Sequence, residues 1–396
     1  MKQRVNSFLT LLEYCEKEGF KGWDPYDGLN SKIFNSLPIK YWDLARLVWI
    51  QGFKRSPVNL RNIFLVPKAY NAKAIGLFLL GYCNLFEISK SQNNFFIDSE
   101  YILEKIYKLA NLLNKLKNNN YSGACWGYNF DWQARRLFLF PANTPTVVAT
   151  TFCVDALFKA YDITKDKKFK NIALSSSNFI LKDLNRTPHK SGFLFSYSPL
   201  NGNNTVFNAS LLGAKTLSLC YKYSAKNKYK EIAEKAIRSV CESQLIDGSW
   251  VYGLLPVQSW KDSFHTGYNL DAISSYQQYT NDNQFESYLE NGFDFYISNF
   301  FKNDGTPKYY HNSTFPIDIH CPGQLFVTLS RLKKYKKHKK IANKVMDWTL
   351  KNMQSKNGYF YYQLKKLFSS KISYMRWSNA FMFNAMTFYF KEELKK

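Results

Sequence analysis

Histidine is scarce in this chain, and what there is lacks metal-binding spacing. The five histidines in 396 residues form neither HExxH nor HxxxH, so as a zinc site the set is weak, and no metal or other cofactor is expected. The seven cysteines, Cys15, Cys83, Cys125, Cys153, Cys220, Cys241 and Cys321, are odd in number and never spaced CxxC. That excludes a disulfide framework and reads as reduced thiols in a cytoplasmic protein. Long apolar runs are missing too: the longest, residues 74–80, is too short to span a bilayer. The N-terminus, residues 1–18, reads as an amphipathic helix broken by charge and not as a signal peptide. Acidic residues are few, 30 against 54 Lys and Arg, which leaves a net charge of +24.

Such a charge attracts polyanions: nucleic acid, anionic lipid or acidic polysaccharide. No nucleic-acid motif accompanies it, so no specific nucleic-acid partner is expected. Much of the charge lies in runs at residues 165–170 and 331–340, which read as exposed ends of outer helices. They suggest at most a weak, peripheral association with a membrane surface, and the plainer reading is a solvated face. Aromatic residues are abundant at 18%. A helical core does not need so many rings, although an AT-rich coding sequence would also produce them. Rings along a groove would stack on sugars.

A Gly-plus-aromatic segment recurs, with Gly127, Gly192, Gly248, Gly305 and Gly358 standing 65, 56, 57 and 53 residues apart. Each follows a charged amphipathic stretch and precedes an apolar one rich in small residues. The apolar stretches are residues 71–86, 146–161, 206–221, 264–279, 317–332 and 373–390. The charged ones are 98–117, 166–184, 226–244, 283–300 and 338–353, with an N-terminal helix at 5–18 or 38–53 completing the set. Helices apolar all round belong inside and striped ones outside. Alternation at this period predicts an all-α fold, an (α/α)6 toroid of six helical hairpins, with its aromatic loops gathered at one end. Residues 1–60 are expected to cap a ring formed by 61–396. An open solenoid is the rival, disfavoured by the absence of polar capping repeats. The first turns of the inner helices should present unpaired N–H groups that favour anions.

The beginnings of the inner helices carry the candidate chemistry. Asn208, His265 and His320 fall at nearly equivalent positions of successive repeats and should converge on the ring axis, with His311 in the preceding turn. Imidazole is the natural proton carrier near neutral pH. Asp262 and Asp318 lie close before two of the histidines, either to orient them or to cap the helices. The cluster from Trp126 to Trp132 supplies Tyr128 and Asp131, a candidate acid or base, with Arg135 or Arg136 to hold an anionic group. A rim loop held by aromatic packing is its plain alternative. Tyr252, Trp260, Tyr310 and Trp377 are candidate sugar-stacking platforms, and Arg376 lies beside Trp377. The loop at residues 22–30 holds Asp24 and Asp27, which either reach the cleft or only shape a turn.

Five motifs together, GWDPYDGL at 22–29, WGYNFDWQ at 126–133, TPT at 144–146, DGSW at 247–250 and FHTGYNL at 264–270, resemble a family of bacterial proteins of capsule, O-antigen and exopolysaccharide biosynthesis. Members are similar to six-hairpin glycosidases and to the toroid domain of glucuronyl C5-epimerases. Some carry the label delta-aminolevulinic acid dehydratase, an α/β barrel, which the missing strand–helix alternation contradicts here. The resemblance supplies the context of a surface glycan, and the leading expectation is an enzyme of the cytoplasm or the inner-membrane periphery. It would act on an oligo- or polysaccharide, anionic in one version, as a glycoside hydrolase or a metal-free uronate lyase or epimerase. A glycan-binding or assembly factor is the alternative class. A terpene-cyclase-like toroid is disfavoured because no Asp-rich diphosphate motif is present.

Overall fold

The structure is a computed structural model and describes residues 1–92, 95–134 and 138–395. The first helix, α1 (Lys2–Lys17), lies in an outer layer. A covering segment follows, holding the short α2 (Lys32–Ser36) and α3 (Asp43–Arg55). From there inner and outer helices alternate. They run α4 (Ala72–Ser91), α5 (Ser99–Leu116), α6 (Val147–Thr164), α7 (Lys167–Asn178), α8 (Phe207–Ser224), α9 (Asn227–Cys241) and α10 (Ser263–Thr280). The last four are α11 (Glu286–Phe300), α12 (His320–Arg331), α13 (Tyr335–Met353) and α14 (Phe381–Glu393). The even-numbered helices from α4 to α14 each pack on the next, and α14 packs back on α4. The ring is therefore closed: an (α/α)6 toroid whose sixth outer helix is α1.

Composition explains the two layers. In α5 the buried side chains Ile102, Ile106, Leu109 and Leu113 form one stripe, the signature of a helix with a single apolar face. In α4 nearly every residue from Ala72 to Leu85 is buried. By length and hydropathy α4 would pass for a membrane span, yet 83% of that stretch is buried inside the ring.

The repeating glycines have a packing reason. A Cβ on Gly123, Gly192, Gly248, Gly305 or Gly358 would lie 2.0 to 2.4 Å from the carbonyl oxygen of Ser175, Lys235, Asn291, Lys344 or Thr10. Each of these loops thus docks on the next outer helix, and Gly358, at φ +92°, closes the circle onto α1. In the first repeat the docking residue is Gly123 and not Gly127, which instead approaches Thr144. Four or five residues after each docking glycine from Gly192 onward comes a tyrosine whose backbone carbonyl takes up a helix-start N–H. Val147, Phe207, Ser263 and Ile319 donate to Tyr197, Tyr252, Tyr309 and Tyr362, and Met375 donates to Trp23. The N–H groups expected to be open to anions are thus partly consumed by the neighbouring loop. The same stitching turns a ring of aromatic side chains toward the mouth.

Short strands complete this end: β1 (Trp132–Ala134) with β2 (Phe138–Phe140), β3 (Arg186–His189) with β4 (Gly192–Phe195), and β5 (Ile317–Asp318), β6 (Tyr361–Leu364) and β7 (Ser370–Ser373) in one sheet. The lumen is bridged at two levels. Lys73 of α4 reaches Tyr268 Oη of the opposite helix α10 at 3.3 Å, which forms a floor beneath the mouth. Deeper, Arg331 of α12 pairs with Asp155 of the opposite α6 at 2.5 Å, and Lys215 joins Asp155 to Asp271 at 3.1 and 2.8 Å. The two basic runs read from the sequence link α6 to α7 and α12 to α13, at the end away from the mouth. There Lys334 pairs with Glu290 and Lys339 with Glu393.

Candidate active site

The start of α10 builds an imidazole–carboxylate pair. Asp262 is the N-cap, and its Oδ1 accepts the backbone N–H of His265 at 3.0 Å. Its Oδ2 lies 2.7 Å from His265 Nδ1 and accepts Trp260 Nε1–H at 3.0 Å. The capping role and the orienting role, alternatives in the sequence, are thus both filled by one side chain. With Asp262 ionised, Nδ1 carries the proton and Nε2 is left as the basic nitrogen. Asp262 is almost wholly buried while the His265 ring is 20% exposed, so the imidazole is the member that meets solvent.

Around His265 lies a tight cleft of about 10 Å³, lined by Asn208, Tyr252, Asp262, Thr266 and Asn269 among others. The side-chain oxygens of Asn208 and Asn269 are buried without a hydrogen-bond partner. Buried polar atoms are rarely left so, and both residues line the cavity beside the imidazole. Tyr252 stacks on Trp260 at 4.6 Å and 15°, with its centroid 4.7 Å from His265. Burial pushes the Tyr252 phenol well above its ordinary range, so it stays protonated as a donor.

A second cluster sits at the starts of α12 and α14. Asp318 Oδ1 accepts Trp377 Nε1–H at 2.9 Å and the His320 N–H at 3.0 Å, and Oδ2 accepts Gln363 Nε2–H at 3.1 Å. Burial outweighs these donors and pushes the Asp318 carboxyl up to about 6. His320 is buried, stacked on Trp377 at 4.3 Å and 15°, with neither ring nitrogen hydrogen-bonded. Burial, and then the charges of Lys73, Arg376 and His265, hold His320 well below its usual range. Arg376 forms a two-point pair with Asp24, at 2.5 and 2.8 Å, and its guanidinium lies 4.8 Å from the Tyr128 ring. Asp24 thus reaches the mouth. Asp27 is turned aside: it accepts from Arg61 at 2.7 Å and from the Asp24 N–H at 2.8 Å.

Other sequence candidates divide. Tyr128 lies at the mouth, 3.2 Å from Tyr197 through the two hydroxyls. Asp131 accepts the Ala142 N–H at 2.7 Å and so ties the base of the β1–β2 hairpin. Trp126 is a core residue, fully buried, its Nε1–H donated to Leu113, because a ring that size packs between layers more favourably than on the rim. His311 packs toward Phe295 of the outer helix α11 at 6.2 Å, and Tyr310 pairs through its backbone with Asp262. Arg135 and Arg136 lie outside the described residues. Among the described residues no three His, Cys, Asp or Glu side chains gather as a metal site.

Lys73, Tyr268, Asn269 and Tyr309 were not read from the sequence. Lys73 is fully buried, over the Phe152 ring at 4.2 Å, and burial followed by Arg376 drives its ammonium well below the ordinary value. The signal was a lysine one residue after an apolar helix begins, which also fits a solvent-reaching side chain.

Comparison with known proteins places this geometry in context. Residues 236–393, which include all of α10, α12 and α14, match Glycosyl Hydrolase Family 88. No curated protein sequence matches the chain significantly. Among solved structures, cellobiose 2-epimerase from Bacillus thermoamylovorans superposes with a TM-score of 0.61 at 13% identity, covering 83% of this chain and 90% of that one. A family 76 alpha-mannanase from Bacteroides thetaiotaomicron gives 0.62 at 13%, covering 82% and 88%. An unsaturated glucuronyl hydrolase specific for heparin gives 0.59 at 13%, covering 84% and 90%. At such identities the likeness is one of fold, and that fold is the six-hairpin toroid.

Proposed function

We propose that this chain is a carbohydrate-active enzyme that moves a proton on a bound saccharide, with His265 Nε2 as the base and Asp262 as the residue that orients it. The observation that carries this reading is the His265–Asp262 pair, whose imidazole is the partly exposed member and lies beside the stacked Tyr252–Trp260 edge, with Asn208 and Asn269 lining the same small cavity. Imidazole held by a buried carboxylate is a competent general base near neutral pH. The carboxamides suit sugar hydroxyls, and the rings suit the apolar faces of pyranoses.

The Arg376 guanidinium lies over the Tyr128 ring at 4.8 Å, and the net charge of +24 attracts anions, which favours an anionic sugar such as a uronate. His265 would take the proton from the carbon next to the carboxylate. Return of a proton to the opposite face gives the epimer; loss of the C4 oxygen substituent gives an unsaturated product. The buried oxygens of Asp262 and Asp318 are already engaged by N–H donors, so the paired free carboxylates of common glycosidases are not the basis of the reading. Assembly or remodelling of a bacterial surface polysaccharide is the setting that the sequence resemblance supports.

Hydrolysis is the second reading, favoured by the family 88 match over residues 236–393. Incubation with acidic and neutral oligosaccharides separates the readings. Inverted stereochemistry at C5 or absorbance from an unsaturated uronate supports proton abstraction, and shortened chains with new reducing ends support hydrolysis. Saccharide that binds unaltered overturns both in favour of a binding module.

A further inference from the structure

The covering segment carries an apolar surface that no part of the described chain covers. Helix α3 packs inward through Ile50 and Phe53, both buried, and the Trp49 ring lies tilted against Phe34 at 4.8 Å. Its outward face should then be polar, and it is not. Leu44 and Val48, with Tyr41 and Trp42 just before the helix, are between 62% and 74% exposed, and Val58, Ile63 and Leu65 of the following loop are exposed as well. A second segment joins it. The tip between β6 and β7 projects Leu367 and Phe368, which are 82% and 70% exposed. Contacts relate that hairpin to α3: Tyr362 of β6 meets Trp377 at 6.0 Å, Trp377 meets Tyr26 at 5.7 Å, and Tyr26 Oη accepts from Lys54 of α3 at 2.7 Å.

The charges mixed into this surface have one sign. Lys40, Lys54, Arg55, Lys365 and Lys366 rim the apolar side chains, and the one acid on the outward part of α3, Asp43, is neutralised by Arg46. A second copy of this chain is a poor occupant, since a two-fold contact would set two cationic surfaces against each other with no free acid among the described residues of either surface to pair them. Aromatic and aliphatic side chains ringed by lysine and arginine suit the headgroup region of an anionic bilayer. There the rings enter the interface and the cations meet lipid phosphates. The surface also adjoins the mouth: Lys54 donates to Tyr26 Oη at 2.7 Å, and the Tyr26 ring is 5.7 Å from Trp377.

We infer that the outward face of α3 and the β6–β7 tip form a docking surface for an anionic membrane, which brings the ring mouth to the bilayer and to saccharides carried there. This is a different place from the basic runs at the far end of the ring, and it does not depend on the catalytic reading. The test is flotation of the full chain with phosphatidylcholine vesicles with and without phosphatidylglycerol, at low and high salt. The wild type is expected to float with the anionic vesicles, weakly with neutral ones, and less at high salt. Trp42→Ser with Leu44→Ser, and separately Lys365→Glu with Lys366→Glu, should each weaken binding by about tenfold or more. The second pair lies on another segment, so misfolding of one variant leaves the other decisive. A wild type that floats with neither vesicle overturns the inference. So do variants that float as well as wild type, or a lipid-free dimer abolished by Leu44→Ser.

Discussion

His265 Nδ1 and Asp262 Oδ2 lie 2.7 Å apart, on a helix whose first turn Asp262 also caps. One carboxylate therefore fixes both the helix start and the tautomer of the imidazole. Asp262→Asn retains a cap oxygen but removes the charge that holds Nδ1–H. It should lower kcat/KM by about 10²- to 10⁴-fold with little change in fold, as should His265→Ala. Steady-state kinetics beside circular dichroism checks this. An Asp262→Asn enzyme with full activity would remove Asp262 from the site.

Arg376 and Asp24 join the start of α14 to the covering segment through a fully buried pair. Losing one partner strands the other charge, so Asp24→Asn or Arg376→Met should each cost about 3–5 kcal/mol of stability. The double replacement should cost less than the sum of the two. Denaturant unfolding of the three variants decides it, and additive effects would mean the two residues act separately.

Gly358 closes the ring onto α1. Alanine there faces both φ +92° and a carbonyl 2.2 Å from its Cβ, so Gly358→Ala should cost at least about 2 kcal/mol. Gly19 has a positive φ with open space around it, and Gly19→Ala should cost only about 1 kcal/mol. Thermal unfolding compares the two. Equal effects would contradict the docking role.

The Asp318 carboxyl, pushed up to about 6 by burial, binds a proton in the fold at pH values where the unfolded chain has released it. Its contribution is therefore present at low pH and lost as pH rises from about 4 to about 6, by at most about 3 kcal/mol. Asp318→Asn should remove this slope. Urea unfolding of both proteins across the window tests it, and a wild type that gains on the variant as pH rises would contradict it.

Much of this architecture is legible in the sequence because layer and period are written in side-chain size and charge. The apolar stretch at 206–221 and the helix Phe207–Ser224 coincide closely, since burial on every side admits only apolar or small residues there. The alternation also brought out Asn208, His265 and His320, whose helix starts do converge. What it does not encode is depth. His320 begins a helix just as His265 nearly does, yet it is sealed behind Trp377 and Phe381. Trp126 and Tyr128, two residues apart, divide between core and mouth. Nor does a turn motif reveal its partner: the tie of Asp24 to Arg376 spans 352 positions, and pairing across the lumen hid Lys73 and Tyr268 equally. The Gly-plus-aromatic repeat was visible, but its reason, a glycine docked on one neighbour and a carbonyl given to another, belongs to the closed ring.

The most direct test of proton transfer at His265 is exchange with solvent. Purified chain is incubated with uronate-containing oligosaccharides in heavy water and the sugar is read by mass spectrometry, wild type beside His265→Ala. Deuterium at the carbon next to the carboxylate, or an unsaturated uronate product, present with wild type and absent with the variant, is the predicted result. Saccharide recovered with neither change, or altered equally by both proteins, would contradict it.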